Sequence, residues 1–168
     1  MSTMRVDTIT EKTSGNGVQI PGHVIQVLST TKLDDHFQAA VTSFVDVTGV
    51  TLTITPKSAT SKILVTVSGV FSHSTSSRLS LFNLVRDSTT LGLPTSPKGN
   101  SATRAMYHNG TDQLHQLHIE FLDSPATTSA TTYKLQMRTN SSGTLYIGDR
   151  PTEDTRQGTT MTLMEIAQ

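Results

Sequence analysis

The chain has 168 residues, of which 34% are hydrophobic and 15% charged, and its 13 basic residues balance 13 acidic ones to a net charge of zero. That length suits one domain of about 140 to 150 residues with a short appendage, enough to bury about two-thirds of its unfolded surface. With no Lys/Arg cluster the electrostatic footprint of nucleic-acid binding is missing, and with no cysteine neither disulfides nor a thiolate metal site can supply stability.

Polarity here comes from hydroxyls: Thr and Ser together make up 49 of the 168 residues. Thr is β-branched and suits a pleated surface, so the composition predicts a β-rich fold. No apolar run approaches the roughly 18 residues of a membrane span, and the opening MSTMRVDTITEK lacks the apolar stretch of a secretory signal. A soluble chain that inserts in no membrane is expected.

In chain order, residues 4–22 carry only the sparse apolar side chains Val6, Ile9, Val18 and Ile20 among Thr, Ser and Gly. Such a run fills neither a helical stripe nor a core, so it is expected to dock on another surface. Gly15-Asn16-Gly17 within it superficially suggests a phosphate loop but lacks the Lys and the helix that make one work; a turn is the simpler reading. The texture changes after Pro21-Gly22, and HVIQVL (23–28) is the first short apolar segment. Residues 33–40 (LDDHFQAA) are the best candidate for a helical turn, with Asp34 or Asp35 as cap.

Residues 44–47 and 50–55 flank Thr48-Gly49, and VTLTIT alternates Val50, Leu52 and Ile54 strictly with threonines, the period of a half-buried strand. Pro56 stops it. KILVTVSGVF (62–71) is the most apolar strand, with Ile63, Val65, Val67 and Phe71 on one side, Leu64 and Val70 on the other, and is expected near a sheet centre. RLSLFNLVRD (78–87) places Phe82 and Leu84 where alternation calls for polar residues, as in a strand covered on both faces. Residues 88–100 read as a long exposed loop, the kind that carries binding. Strands are further expected at 102–108, 114–122, 132–139, 143–147 and 160–166, with Asn109-Gly110 as a tight hairpin turn. Eight to ten strands without βαβ alternation predict an all-β, jelly-roll-like antiparallel sandwich.

Little in the sequence points to turnover. His115 and His118, the closest histidine pair, fall on opposite faces of a strand and cannot share an ion within one chain. No G-x-S-x-G elbow is present, and the scattered carboxylates define no glycosidase pair. No catalytic residue, metal site or cofactor is expected. Arg104, Tyr107, His108, Asp149 and Arg150, placed around turns, are the candidates for ligand contact.

VDTITEKTSGNGVQI near the start, ITPKSATSKILVTVSG in the middle, TTYKLQMRTNSSGTLYI later and TTMTLMEIAQ at the end resemble, in that order, small virion structural proteins of tailed bacteriophages, especially of marine and cyanobacterial hosts. The resemblance implies a fibre-like or decoration protein, commonly trimeric, anchored to tail or capsid proteins by its N-terminal segment and presenting a β-sandwich head at the virion surface after assembly in host cytoplasm. A long fibre would carry a shaft of repeats, so a short fibre, fibre tip or capsid spike is expected, adhering to a host-surface glycan or protein. Residues 1–23 would then be the anchoring segment, through Val6, Ile9, Val18 and Ile20, and 24–168 the head. The trimer surface is expected at Leu64, Val70, Phe82 and Leu84, whose apolar side chains exceed what one sandwich face needs.

Overall fold

The computed structural model describes residues 8–10, 20–34, 36–39, 41–150 and 155–168, without the side chains of 36–39 and 150. Val6, Val18 and Gly15-Asn16-Gly17 lie outside the described residues. Thirteen strands and no helix occur among the described residues. They are β1 (Val24–Lys32), β2 (His36–Ala39), β3 (Val45–Ile54), β4 (Lys62–His73), β5 (Arg78–Arg86), β6 (Thr89–Leu91), β7 (Arg104–His108), β8 (His115–Asp123), β9 (Thr131–Thr139), β10 (Thr144–Ile147), β11 (Asp149–Arg150), β12 (Thr155–Arg156) and β13 (Thr159–Ile166).

The strands form two facing antiparallel sheets. In the first, β1, β13, β4 and β8 lie side by side, and β10 continues the β13 edge of β4 with β2 beyond it. In the second, β3, β9 and β5 are followed by β7 and β6, which share the far edge of β5. Taking β1, β3, β4, β5, β7, β8, β9 and β13 as first to eighth, the orders are 1-8-3-6 and 2-7-4-5. Each sheet thus interleaves early and late strands, the double Greek key of a jelly roll. The expected fold class is the observed one.

Period-2 patterning explains why the sheets face each other as they do. Ile63, Val65, Val67 and Phe71 of β4, Leu117 and Ile119 of β8, and Met161 and Leu163 of β13 are all buried and meet Tyr133, Leu135 and Met137 of β9 in one core. β4 is central in its sheet, as its sequence predicts. β5 is buried on both faces, from Ser80 to Val85. Its even residues enter the core. Over the outer face of its sheet, Arg138 of β9 donates to Gly99 O (2.6 Å) and Asn100 Oδ1 (3.4 Å), drawing the loop after β6 across it.

Three expectations are corrected. Residues 36–39 form a strand, not a helical turn, because β10 offers them a ladder, Tyr146 opposite Phe37. Residues 45–54 are one strand rather than two: the register shifts between Asp46 and Thr51, and Gly49 supplies the positive φ of 85° within that irregularity. Asn109-Gly110 is no hairpin turn, since β7 pairs with β5 and β8 with β4, so the chain there crosses between sheets.

The topology gives the sandwich two unlike ends. At the near end β1 begins beside the end of β13, where Gly22 N donates to Ala167 O (2.8 Å) and Ala167 N to His23 O (2.9 Å). The β3–β4, β5–β7 and β8–β9 connections are also there. The far end carries the β1–β3, β4–β5, β7–β8 and β9–β13 connections.

Candidate functional site

Three places combine exposure or chemistry with a built surrounding: the outer face of the first sheet and the polar groups that close the sandwich at each end. On the outer face, register aligns one side chain from each of four neighbouring strands. Val27 of β1 is opposite Met164 of β13, Met164 opposite Leu64 of β4, and Leu64 opposite Leu122 of β8. Val27 is 54% exposed and Leu122 48%. Val24, opposite Ile166, extends this apolar row by a second pair. The rows above it are hydroxyls paired with one another, Ser29 with Thr162 (3.1 Å) and Thr31 with Thr160 (2.9 Å).

At the near end Asp123 of β8 reaches across the gap between sheets. Arg86 Nη1 of β5 donates to both of its carboxylate oxygens (2.7 Å each), and the Tyr133 hydroxyl of β9 donates to Oδ2 (2.7 Å). Burial and then the bond to Asp123 push the Tyr133 phenol far above its ordinary value. Burial opposes the Arg86 charge, but the bonds to Asp123 outweigh it and raise its pKa. Beside this clasp Glu165, also buried, accepts from Gln26 Nε2 (2.5 Å) and Lys57 N (2.7 Å). Both buried carboxylates at this end have partners.

At the far end three imidazoles fill the same gap. His73 ends β4 in step with Phe71, His115 begins β8 in step with Leu117, and His108 ends β7 in the opposing sheet. The His108 ring lies 5.4 Å from that of His73 and 4.6 Å from that of His115, and Phe71 touches His108 and His115 at 5.5 and 5.6 Å. His73 and His108 are fully buried. His108 Nε2 shares a hydrogen bond with Ser80 Oγ (2.8 Å), and His73 Nδ1 is held by Thr75 N (3.1 Å). His73 Nε2, His108 Nδ1 and His115 Nε2 are buried without a hydrogen-bond partner. Burial, then the neighbouring His115 and His73, pushes His108 down to about 4, and burial lowers His73. Among the described residues no three His, Asp or Glu side chains are arranged to hold a metal ion.

The expected site residues scatter over this framework. Of the trimer set, Leu64 and Val70 lie on the outer face of the first sheet, but Phe82 and Leu84 are corrected: both are 0% exposed, turned into the core of their own chain. Of the ligand set, Arg104 and Tyr107 are exposed on the edge strand β7, three residues apart and on opposite faces. His108 and Asp149 are corrected, because both are buried, one among the imidazoles and one behind Ser72, whose hydroxyl donates to Asp149 O (2.8 Å). Arg150 lies in β11, its side chain outside the described residues. Ile9 and Ile20, 58% and 52% exposed, are not buried by the head.

His115 and His118 do fall on opposite faces, inward and exposed. The sequence pairing of these two misses the real neighbours of His115. A usable signal was phase: His73 and His115 each continue the inward side of a strand.

No protein-family model matches the sequence, and no curated protein matches it. Solved structures similar to this chain include one of the infectious bursal disease virus Gt strain, 17% identical with a TM-score of 0.45 over 98% of this chain and 43% of that one. Another is the VP2 subviral particle of the same virus, 18% identical with a TM-score of 0.43 over 84% of this chain and 38% of that one. This chain spans less than half the length of those chains.

Proposed function

We propose that this chain is a virion structural protein of the tailed-phage type, a trimeric short fibre or spike whose N-terminal run anchors it and whose far end adheres to a host-surface glycan or protein. The observation that carries the reading is the separation of the ends. The N-terminal run meets the head at the near end, and the β9–β13 connection with β11 and β12 emerges at the other. The ordered series of phage-like motifs supplies the virion context. The mechanism is binding: three weak contacts made at once give avidity without high single-site affinity.

The apolar row of Val27, Met164, Leu64 and Leu122 supports self-association, because water leaves such a face when a second copy covers it. Mass measurement of the purified chain should give three copies, and the double substitution Leu64→Ser, Leu122→Ser should give monomers. A stable wild-type monomer would sink the trimer. Deleting residues 1–22 should leave a folded head that no longer joins particles; normal incorporation would show that the run is not the anchor. Cleavage of host polysaccharide by purified protein would replace adhesion with turnover.

One observation favours a second reading, a capsid decoration protein. A receptor-binding fibre would turn the loop 88–100 away from its anchor, whereas here it leaves β5 at the near end and is tied down over its sheet. Loop and N-terminal run together would then cover a broad patch of shell. An image of the assembled particle separates the two: near-end contact through the loop supports decoration, and contact through the run alone supports the fibre.

A further inference from the structure

We infer that the imidazole layer at the far end is an acid-sensitive latch, which on taking up a proton releases β7 and the β4–β5 and β7–β8 loops while the near end stays closed. Three strands from both sheets contribute the rings, so the layer is a fastening between sheets and not a feature of one of them. Its free nitrogens decide how it answers acid. Protonated, His73 and His108 each carry an N–H, at Nε2 and Nδ1, that meets no acceptor and sits against other aromatic rings.

The groups around His108 oppose a positive charge, and those around His73 are mixed. His108 is faced by His73 from β4 and His115 from β8. His73 is faced by Thr75 O, 3.0 Å from its Nδ1, which favours a proton, by Arg78 of β5, which repels one, and by Asp112 of the β7–β8 loop, which favours one. Opening exposes the rings to water, where an imidazole has its ordinary affinity near pH 6.5. Acid therefore favours the open form.

Backbone bonds decide what opens. β7 pairs only with β5 among the described residues, over five positions from Arg78↔His108 to Phe82↔Arg104. Ser77 N donates to His108 O (2.7 Å), and Asp112 N to His73 O (2.8 Å), so both loops are fastened to the backbone of the same two histidines. At the other end the Arg86–Asp123–Tyr133 clasp contains no imidazole. This latch stands whether or not the chain is a virion component.

Amide hydrogen exchange on the full chain at about pH 7 and about pH 5, corrected for intrinsic rates, tests it. Protection at Ser77, Asp112 and β7 should fall by about tenfold or more in acid, with β1 and β13 unchanged. Unchanged protection, or a uniform fall over the whole sandwich, overturns the latch. His108→Gln keeps a partner for Ser80 Oγ and cannot take up the proton, so it should hold its pH 7 protection in acid. Should that variant not fold, an NMR titration of the wild-type histidines decides: His108 still neutral at about pH 5.5 supports the latch, and titration near 6.5 overturns it.

Discussion

The two ends of the sandwich close the same gap by opposite means. At the near end Asp123 brings a charge between the sheets and is met by Arg86 and Tyr133, so each buried polar atom of the clasp has a counterpart. At the far end His73, His108 and His115 bring imidazole rings whose buried free nitrogens have none. A satisfied charge is fastened by its partners, whereas a neutral imidazole layer is fastened only while protons stay away. One closure should fail by losing a partner, the other by gaining a proton.

Removing the partner gives the largest expected effect. Asp123→Ala leaves the Arg86 charge and the Tyr133 hydroxyl without an acceptor, and should cost about 3 to 5 kcal/mol in urea unfolding. A loss under about 1 kcal/mol would mean that water replaces the carboxylate there. Acid should cost somewhat less. His108 is held down to about 4 against about 6.5 when unfolded, so the unfolded chain binds the proton more tightly. Stability contributed by the neutral ring is present above the unfolded value and falls as pH drops from about 6.5 to about 4, by at most about 3 kcal/mol. Thermal melts across that range check it, and a flat profile contradicts it.

Gly143 sharpens the contrast at the far end. It has a φ of 103°, and an added Cβ would come within 2.6 Å of His73 Cε1 and 2.5 Å of Thr75 Oγ1. Gly143→Ala should cost about 2 kcal/mol and should weaken the acid response by displacing His73. Tyr133→Phe, at the near end, removes one of the bonds to Asp123 and should cost about 1 kcal/mol with no change in acid response. Smallest is Asp46→Asn, away from both ends: Asp46 is half-exposed where it pairs with Lys134, so its loss should stay under about 0.5 kcal/mol.

Strand positions were largely legible because alternation is a local property. KILVTVSGVF and VTLTIT state their faces residue by residue, and each strand keeps them. What needed a distant partner was not legible. Residues 36–39 become a strand only because β10 lies beside them. Phe82 and Leu84 raised the apolar content of β5 as a chain–chain contact would, but the covering groups come from the same chain: the core on one side and, on the other, the loop held by Arg138. The imidazole layer was hidden for the same reason. Residues 73, 108 and 115 meet through the register that sets Phe71 opposite His115 and Arg78 opposite His108, and through the packing of one sheet on the other.

The pairing of β1 with β13 has a mechanical side. A pull that enters the head at His23 and leaves through the far-end loops runs along β1. Its ladder with β13, from Val24↔Ile166 to Lys32↔Thr159, then bears the load lengthwise. Hydrogen bonds loaded in that direction must yield together, whereas a pull across the strands would part them one pair at a time. The route of the chain through the near end therefore lays this ladder along the line between the two ends.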